Sequence, residues 1–394
     1  MLISENTKKF ILEHVEDDVF RLGFHASRYP EVEMHVAVVQ IEGHQKAKLK
    51  VPSWYANPDI IYPPHLALEQ CTSEMTANYK ASLVEGDTMV DLTGGFGVDS
   101  SFLARKFAKA VYVEQQDEFC ELAAHNFEAL GLTNIETVNE EATDYLSNME
   151  KVDLIYIDPA RRNKQGGKVF ALSDCEPDIT EIIDQLLDKA QKVLVKLSPM
   201  LDVGMALQQM KNATEVHIIS SNNECKELLL LLDREQHPSP SIYCININKT
   251  SEQSFSFNKD EESAAECEYT STLRTFLYEP NTSVLKAGAF KIIGSRFNLY
   301  KLNPNSHLYT SDELISNFPG KVFRITDHTS FNKKDLHSFL SDMKKANIVV
   351  RNFTMTAVEL HKRFKLADGG DDYLFATTLE NGQHTIIRGE KLQF

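Results

Sequence analysis

The stretch from Val90 to Ala104, VDLTGGFGVDSSFLA, limits the possible folds more than any other part of the chain. An apolar run ends in Asp91, glycines follow at 94, 95 and 97, and a helical segment begins near Asp99. Glycine lets the backbone turn sharply and approach a ligand, because no Cβ stands in the way. A helix that starts directly after such a turn aims its first amides at an anion or a carboxylate. A strand, a bare turn and a helix in that order open an α/β sheet, which takes its ligands at the carboxyl ends of its strands.

The residues that follow keep the same logic. TMVDLT, AVYVEQ, VDLIYIDPA, KVLVKLSP and EVHIIS read as strands. DSSFLARKFA, FCELAAHNFEALGL, ITEIIDQLLDKAQ, VGMALQQM and KELLLLLD read as helices between and after them, before a last run SIYCININ. Regular alternation of this kind predicts a mostly parallel sheet covered on both faces. Residues 1–80 read as mainly helical, and the prolines of WYANPDIIYPPHL interrupt that pattern as a loop. Ser73 is placed to cap the helix that leads into the glycine turn.

The acidic stretch 257–270, FNKDEESAAECEYT, reads as a loop or linker to a second globular region. There KVFRITD and NIVVRN are predicted strands, and KDLHSFLSDMKKA and TAVELHKRF predicted helices. DYLFATTLENGQHTIIRG is a predicted hairpin, because Asn-Gly between alternating runs suits a two-residue turn with positive φ at both central residues.

Composition excludes several classes. No apolar run approaches the roughly 20 residues needed to span a bilayer, and the acids in the first 18 residues do not fit a signal peptide. The expectation is a cytoplasmic protein without membrane contact. The six cysteines include no Cys-x-x-Cys pair, and no cluster has metal-ligand spacing, so neither a zinc site nor a disulfide framework is expected. A formal net charge of −16 opposes sequence-independent binding of duplex DNA. Local basic patches remain open, the densest holding Lys344, Lys345, Arg351, His361, Lys362, Arg363 and Lys365.

Acids recur where the sheet would take a ligand. Glu114 ends the strand after the glycine turn, where a carboxylate accepts hydrogen bonds from both hydroxyls of a ribose. Glu141 and Ala142 follow the next strand, at a place where an acid meets an adenine amino group. The fourth strand delivers Asp158, Pro159, Ala160, Arg161 and Arg162.

In this order the features resemble a class I S-adenosylmethionine-dependent methyltransferase over roughly residues 70–250. The resemblance implies a Rossmann-like, seven-stranded, mostly parallel sheet in a domain spanning 81–255. It implies that Asp91, Gly94, Gly95, Gly97 and Asp99 line the methionine end of the cofactor, Glu114 its ribose, and Glu141 and Ala142 its adenine. Asp158 and Pro159 would then stand at the site of methyl transfer. The glycine motif is similar to that of bacterial small-subunit rRNA guanine-N2 methyltransferases. Through SEMTANYKA, DPARR, KLSP and EPNTSVLKAGAF, the whole chain resembles a bacterial methyltransferase family with a ferredoxin-like segment (271–318) and a C-terminal α+β THUMP-like domain (319–394). THUMP domains belong to RNA-modifying enzymes, which makes rRNA or tRNA the implied partner and a nucleobase exocyclic amine the implied acceptor.

Methyl transfer from a sulfonium is an in-line displacement, so the protein mainly supplies alignment and a dry pocket. Asp158 suits that role by accepting an amine N–H, with Pro159 fixing the neighbouring backbone. Amino-methylating enzymes usually continue Asp/Asn-Pro-Pro-aromatic, whereas this chain has Ala160 and Arg161. A guanidinium also stacks on bases and grips phosphate, so Arg161 and Arg162, with Lys196 and Ser198 of KLSP, are the candidate substrate contacts. Three alternatives stay open: a methyltransferase for a small molecule or protein, a non-catalytic RNA-binding factor retaining the cofactor pocket, and an NAD-dependent dehydrogenase. The last is disfavoured because Ser100 stands where the dinucleotide fingerprint has its third glycine.

Overall fold

A computed structural model describes residues 3–63, 71–161, 172–248 and 251–394. The chain divides into two compact units, residues 1–214 with 229–237, and residues 215–228 with 238–394.

The first unit opens with helices α1 (Glu5–Glu13), α2 (Val19–Phe24), α3 (Met34–Lys50) and α4 (Pro52–Tyr55). Ser4 and Asp18 cap α1 and α2 by accepting backbone N–H groups. Phe10, Ile11, Leu22, Ala37 and Ile41 form the small core between these helices. Two buried amide side chains then hold the chain after α4. Gln40 bonds both the N–H and the C=O of Tyr62, at 2.8 Å each. Asn126 does the same for Ile61, at 2.9 Å each. These bonds satisfy backbone groups that have no ladder partner, which explains how an irregular segment stays buried. Helix α5 (Glu74–Ser82) is capped by Ser73, as its sequence predicts.

The sheet begins with β1 (Gly86–Asp91), followed by α6 (Val98–Leu103), β2 (Phe107–Glu114), α7 (Asp117–Ala129), β3 (Ile135–Asn139), α8 (Ala142–Asn148) and β4 (Val152–Ile157). A two-residue pair, β5 (Ala160–Arg161) with β6 (Cys175–Glu176), precedes α9 (Ile179–Lys189), β7 (Ala190–Leu197) and α10 (Val203–Gln209). The strands β7, β4, β1, β2 and β3 lie side by side in that order and pair in parallel. Their central residues, such as Val90, Val113, Ile155 and Leu194, are buried, as expected for strands covered on both faces. The order reverses at β1, whose neighbours are β4 and β2, and a topological switch point of this kind opens a ligand crevice.

KELLLLLD, predicted as a helix, is instead strand β9 (Glu224–Leu232), and its last residues extend the first unit's sheet beside β7. A run of five leucines carries no period, and the deciding signal was the turn before it. Asn222 and Asn223 both adopt positive φ (51° and 62°), the two-residue hairpin geometry, so β8 (Ala213–Ser221) turns directly into a strand.

In the second unit, β10 (Ser241–Ile247) runs parallel to β8 and antiparallel to β11 (Glu252–Asn258). The expected loop 257–270 instead contains the end of β11 and helix α11 (Lys259–Ala264), started by a reciprocal capping box between Asn258 and Glu261. A seven-stranded sheet follows, in the order β13-β14-β12-β15-β18-β17-β16. Its strands are β12 (Phe276–Pro280), β13 (Tyr300–Lys301), β14 (Tyr309–Ser311), β15 (Gly320–Ser330), β16 (Lys345–Arg351), β17 (Ala367–Thr378) and β18 (His384–Lys391). Helices α12 (Thr282–Ala287), α13 (Ile292–Arg296), α14 (Lys333–Phe339) and α15 (Ala357–Phe364) complete the unit. The Asn381–Gly382 hairpin forms, but only Gly382 has positive φ (83°). Its N–H reaches the Leu379 carbonyl at 2.9 Å, giving a longer turn closed by a left-handed glycine.

Candidate active site

The glycine turn is built against the second strand. Asp91 ends β1 and is 1% exposed. One oxygen accepts the Thr93 N–H at 3.0 Å and the other accepts the Ser100 hydroxyl. Burial outweighs these bonds and pushes the carboxyl up to about 7. Ser100 therefore has a positive role where a dinucleotide fold keeps glycine: it satisfies a buried acid.

At Gly94 the loop presses on Tyr112, and a Cβ there would sit 2.1 Å from the ring. The Tyr112 hydroxyl bonds the Gly95 carbonyl. The Gly95 N–H donates to Glu114 at 2.9 Å, while the other Glu114 oxygen accepts the Gln116 N–H at 2.9 Å. Gly95 and Gly97 take left-handed backbone (φ 54° and 85°), which a side chain disfavours. Trp54, fully buried, packs edge-on against Phe96 at 4.9 Å and anchors the turn from its other side.

Glu114 is thus a brace for the loop as well as a strand-end acid. Each carboxylate oxygen takes one N–H and retains a further lone pair, so the group still has acceptor capacity for hydroxyls. The Asn139 side chain and the Glu140 N–H both reach the Glu114 carbonyl, at 2.9 and 3.2 Å, which draws the end of β3 to the same place. Glu141 is the N-cap residue of α8, exposed, and Ala142 is its first residue, buried. The structure brings these residues to the carboxyl ends of β1, β2 and β3.

The Thr93 hydroxyl connects this loop to the fourth strand by accepting the Asp158 N–H at 2.7 Å. The Asp158 carboxylate stands 2.5 Å from the Lys196 Nζ, at the end of β7. Lys196 also reaches Thr72 at 3.1 Å and Asp99 at 3.6 Å. Lys80, a fully buried lysine on α5, pairs with Asp99 at 2.8 Å and donates to Thr72 at 3.0 Å. Thr72 and Tyr156 donate to the second Asp99 oxygen, at 2.7 and 2.8 Å.

Burial alone would raise the Asp99 pKa, but Lys80 and Lys196 outweigh it and hold the carboxyl far below its ordinary range. For Asp158 the balance goes the other way: burial raises its pKa against the opposing pull of Lys196. Two acids that share the Lys196 ammonium are thereby driven in opposite directions.

The remaining expected residues have the following places. Asp99, expected with the methionine end, is held in the lysine cluster through both oxygens. The Ser198 hydroxyl accepts the Met200 N–H at 3.3 Å and its carbonyl accepts the Leu201 N–H at 3.1 Å, a turn that closes β7. Arg161 contributes its backbone to the β5–β6 pair opposite Cys175. Arg162 and the rest of the expected cationic loop to Lys168 lie outside the described residues. Sequence reasoning missed Thr72, Lys80, Thr93, Tyr156 and Gln116. The one available signal was Lys80, a lysine in the otherwise small, apolar face of the helix that leads into β1.

The donor set fits S-adenosylmethionine. Gly95 carries bare backbone: among the described residues, only the Thr93 carbonyl comes within 4 Å of where a Cβ would stand. Glu114 offers acceptors for ribose hydroxyls.

Comparison with known proteins agrees. Residues 72–196 match the family model described as Conserved hypothetical protein 95, residues 276–319 a ferredoxin-like domain, and residues 320–391 a THUMP domain-like model. The crystal structure of a candidate methyltransferase from Porphyromonas gingivalis W83 is 32% identical, covers 100% of both chains and superposes with a TM-score of 0.89. An uncharacterised S-adenosylmethionine-dependent methyltransferase of Mycobacterium tuberculosis is 24% identical over 302 residues, 76% of this chain and 80% of the relative. With the reversal of strand order at β1, the braced glycine turn and the acid at the end of β4, these likenesses converge: the chain belongs to the family of S-adenosylmethionine-dependent methyltransferases that carry ferredoxin-like and THUMP-like domains after a Rossmann-like core.

Proposed function

We propose that the protein methylates RNA, with Asp158 and Pro159 at the point of transfer. In this reading Asp91, Gly94, Gly95 and Gly97 shape the methionine end of the cofactor pocket, Glu114 takes the ribose, and Glu141 and Ala142 border the adenine. Asp99 acts from behind, by holding Lys196. The observation that carries the site is the Asp158 N–H bonded to Thr93, the residue before Gly94, which ties the fourth strand's acid to the glycine turn. Binding of the methyl donor beside that acid gives alignment, which is the main protein contribution to such a displacement.

The RNA half of the reading is supported by the THUMP-like match over residues 320–391. That unit also carries the exposed Lys344, Lys345, Lys362, Arg363 and Lys365. Arg351 and His361 from the same sequence cluster are engaged by acids, Glu279 at 2.9 Å and Asp368 at 3.5 Å, and contribute less to a phosphate-facing surface. Arg161, Arg162 and Lys196 remain the proposed contacts for the RNA near the point of transfer, with Ser198 shaping the turn beside them.

The test compares modified nucleosides in total RNA from cells with and without the protein. One methylated nucleoside disappears and returns with the wild-type chain. Asp158→Ala fails to restore it, while calorimetry shows S-adenosylmethionine bound as before. If every methylated nucleoside persists without the protein, the RNA assignment is wrong.

A further inference from the structure

The pairing of Asp158 with Lys196 bears on which atom receives the methyl group. An exocyclic amine needs an acceptor for its N–H, and its nitrogen gains positive charge as the new bond forms. A hydroxyl also needs an acceptor for its proton, but its oxygen gains negative charge as that proton leaves. A fixed charge beside the acceptor therefore discriminates between them: a cation favours oxygen and opposes nitrogen.

Here a cation is fixed. The Lys196 Nζ lies 2.5 Å from Oδ2 of Asp158 and is only 13% exposed at its side chain. It is held from behind by Thr72 at 3.1 Å and Asp99 at 3.6 Å. Lys80 grips the same Thr72 and Asp99, so the support of Lys196 is itself buried and braced. Asp158 is 37% exposed at its side chain, and its Oδ1 has no hydrogen-bond partner among the described residues. One carboxylate oxygen thus faces the lysine while the other is available to a ligand.

Resting on the reading of the protein as an RNA methyltransferase, we propose that the acceptor is a hydroxyl, the ribose 2′-hydroxyl of RNA, and that Lys196 and Asp158 act on it as a pair. The acceptor O–H bond breaks and its proton passes to Oδ1 of Asp158. An oxygen lone pair forms the new O–CH3 bond as the S–CH3 bond of the donor breaks, its electron pair remaining on sulfur to leave a neutral thioether. Lys196 supplies positive charge beside the oxygen while this happens, and the proton on Asp158 passes to water after product leaves. The 2′-hydroxyl is the hydroxyl present at every internal RNA nucleotide, and proteins use it to distinguish RNA from DNA. Lys196 and Asp158 are then catalytic residues, and Lys80, Thr72 and Asp99 are positioning residues.

The experiment uses the full-length protein, S-adenosylmethionine with a labelled methyl group, and RNA from cells that lack the protein. Nucleosides from complete digestion are resolved by mass spectrometry, and alkaline hydrolysis is run in parallel, because a 2′-O-methyl group blocks cleavage at its own linkage. The expected result is label on ribose within alkali-resistant dinucleotides. Lys196→Met lowers that incorporation at least 100-fold, with cofactor affinity by calorimetry changed less than threefold. Label on a base overturns the hydroxyl assignment and leaves the RNA reading standing. No label in any RNA removes both. A Lys196→Met protein that incorporates label at the wild-type rate overturns the role of Lys196. If this variant does not fold, the position of the label in the wild-type reaction still decides the acceptor.

Discussion

Replacing Gly94 by alanine tests whether the glycine turn is shaped by a rigid contact with β2. The added Cβ would lie 2.1, 2.4 and 2.5 Å from three atoms of the Tyr112 ring. Carbon atoms rest at about 3.5–4.0 Å, so ring and loop must separate by more than about 1 Å. Neither side gives easily. Tyr112 is fully buried, its ring packs at 5.4 Å on Phe127, and its hydroxyl is bonded to the Gly95 carbonyl. Overpacking of this kind costs about 1–3 kcal/mol. Separating the loop from the ring also breaks the Tyr112 hydrogen bond, worth about 1 kcal/mol. The expected loss is on the order of 2–4 kcal/mol, read as a lowered urea midpoint at unchanged slope. Gly95→Ala is the control. Among the described residues its Cβ meets nothing closer than the Thr93 carbonyl at 3.9 Å, and its φ of 54° costs an alanine about 1–2 kcal/mol. A Tyr112→Leu background should rescue much of the Gly94→Ala loss and none of the Gly95→Ala loss. If Gly94→Ala is no more harmful than Gly95→Ala, or Tyr112→Leu fails to rescue it, the turn is not defined by that ring.

Asp91 and Lys80 supply two further tests. Burial raises the Asp91 carboxyl from 3.8 to about 7, so its protonated form favours the folded state. Its stabilising effect is complete below pH 3.8 and is lost as pH rises through about 7. Asn at this position can accept the Thr93 N–H and donate to Ser100. Asp91→Asn should therefore gain stability relative to wild type as pH rises from about 4 to 8, by up to about 4 kcal/mol at 1.36 kcal/mol per pH unit. Equal unfolding midpoints for the two proteins across that range would contradict the burial argument. Lys80→Met removes the closest cation of a buried acid and should cost about 3–5 kcal/mol at neutral pH. The depressed Asp99 pKa contributes stability above its ordinary value of 3.8 that is lost as pH falls through the lower folded value, so the gap between variant and wild type narrows in acid. Lys80→Met/Asp99→Leu should be more stable than Lys80→Met alone, and a double variant that is worse than the single would break the pairing argument.

The parallel core was legible because its evidence is local. Strands such as β1, β2 and β4 pair β-branched or aromatic residues with a following glycine or acid, and a helix such as α9 shows a clear helical period. The errors fell where a segment has no period or where a single turn decides. Five consecutive leucines at 228–232 are compatible with either a buried helix or a buried strand, and only the left-handed backbone at Asn222 and Asn223 commits them to a hairpin. The acidic run after Asn258 looked like a linker by composition, yet a capping box needs only two residues three apart, and Asn258 with Glu261 supplies it. At Asn381–Gly382 the dipeptide was the right signal for a hairpin, but the backbone closed a longer loop and used only the glycine's conformational freedom.

The site shows a different limit. The residues proposed for the cofactor are legible by type and place, since a bare turn at one strand end and a carboxylate at the next follow from the fold's geometry. The lysines do not. Lys80 precedes Asp99 by nineteen residues and Lys196 follows it by ninety-seven, and only the parallel order β7-β4-β1 and the packing of α5 on α6 bring them to one carboxylate. Yet the physical cost of that arrangement was visible in principle. A lysine is almost never fully buried without a partner, and Lys80 falls between Ala77 and Ala81 on a helix with little room for a solvated side chain. Such a residue demands an acid inside the protein. Asp99, at the start of a helix that itself must pack on the sheet, is the acid that Lys80 meets, at 2.8 Å. A buried base in search of an acid therefore points to the same strand ends as the glycines, through an acid whose other cationic neighbour, Lys196, stands beside Asp158.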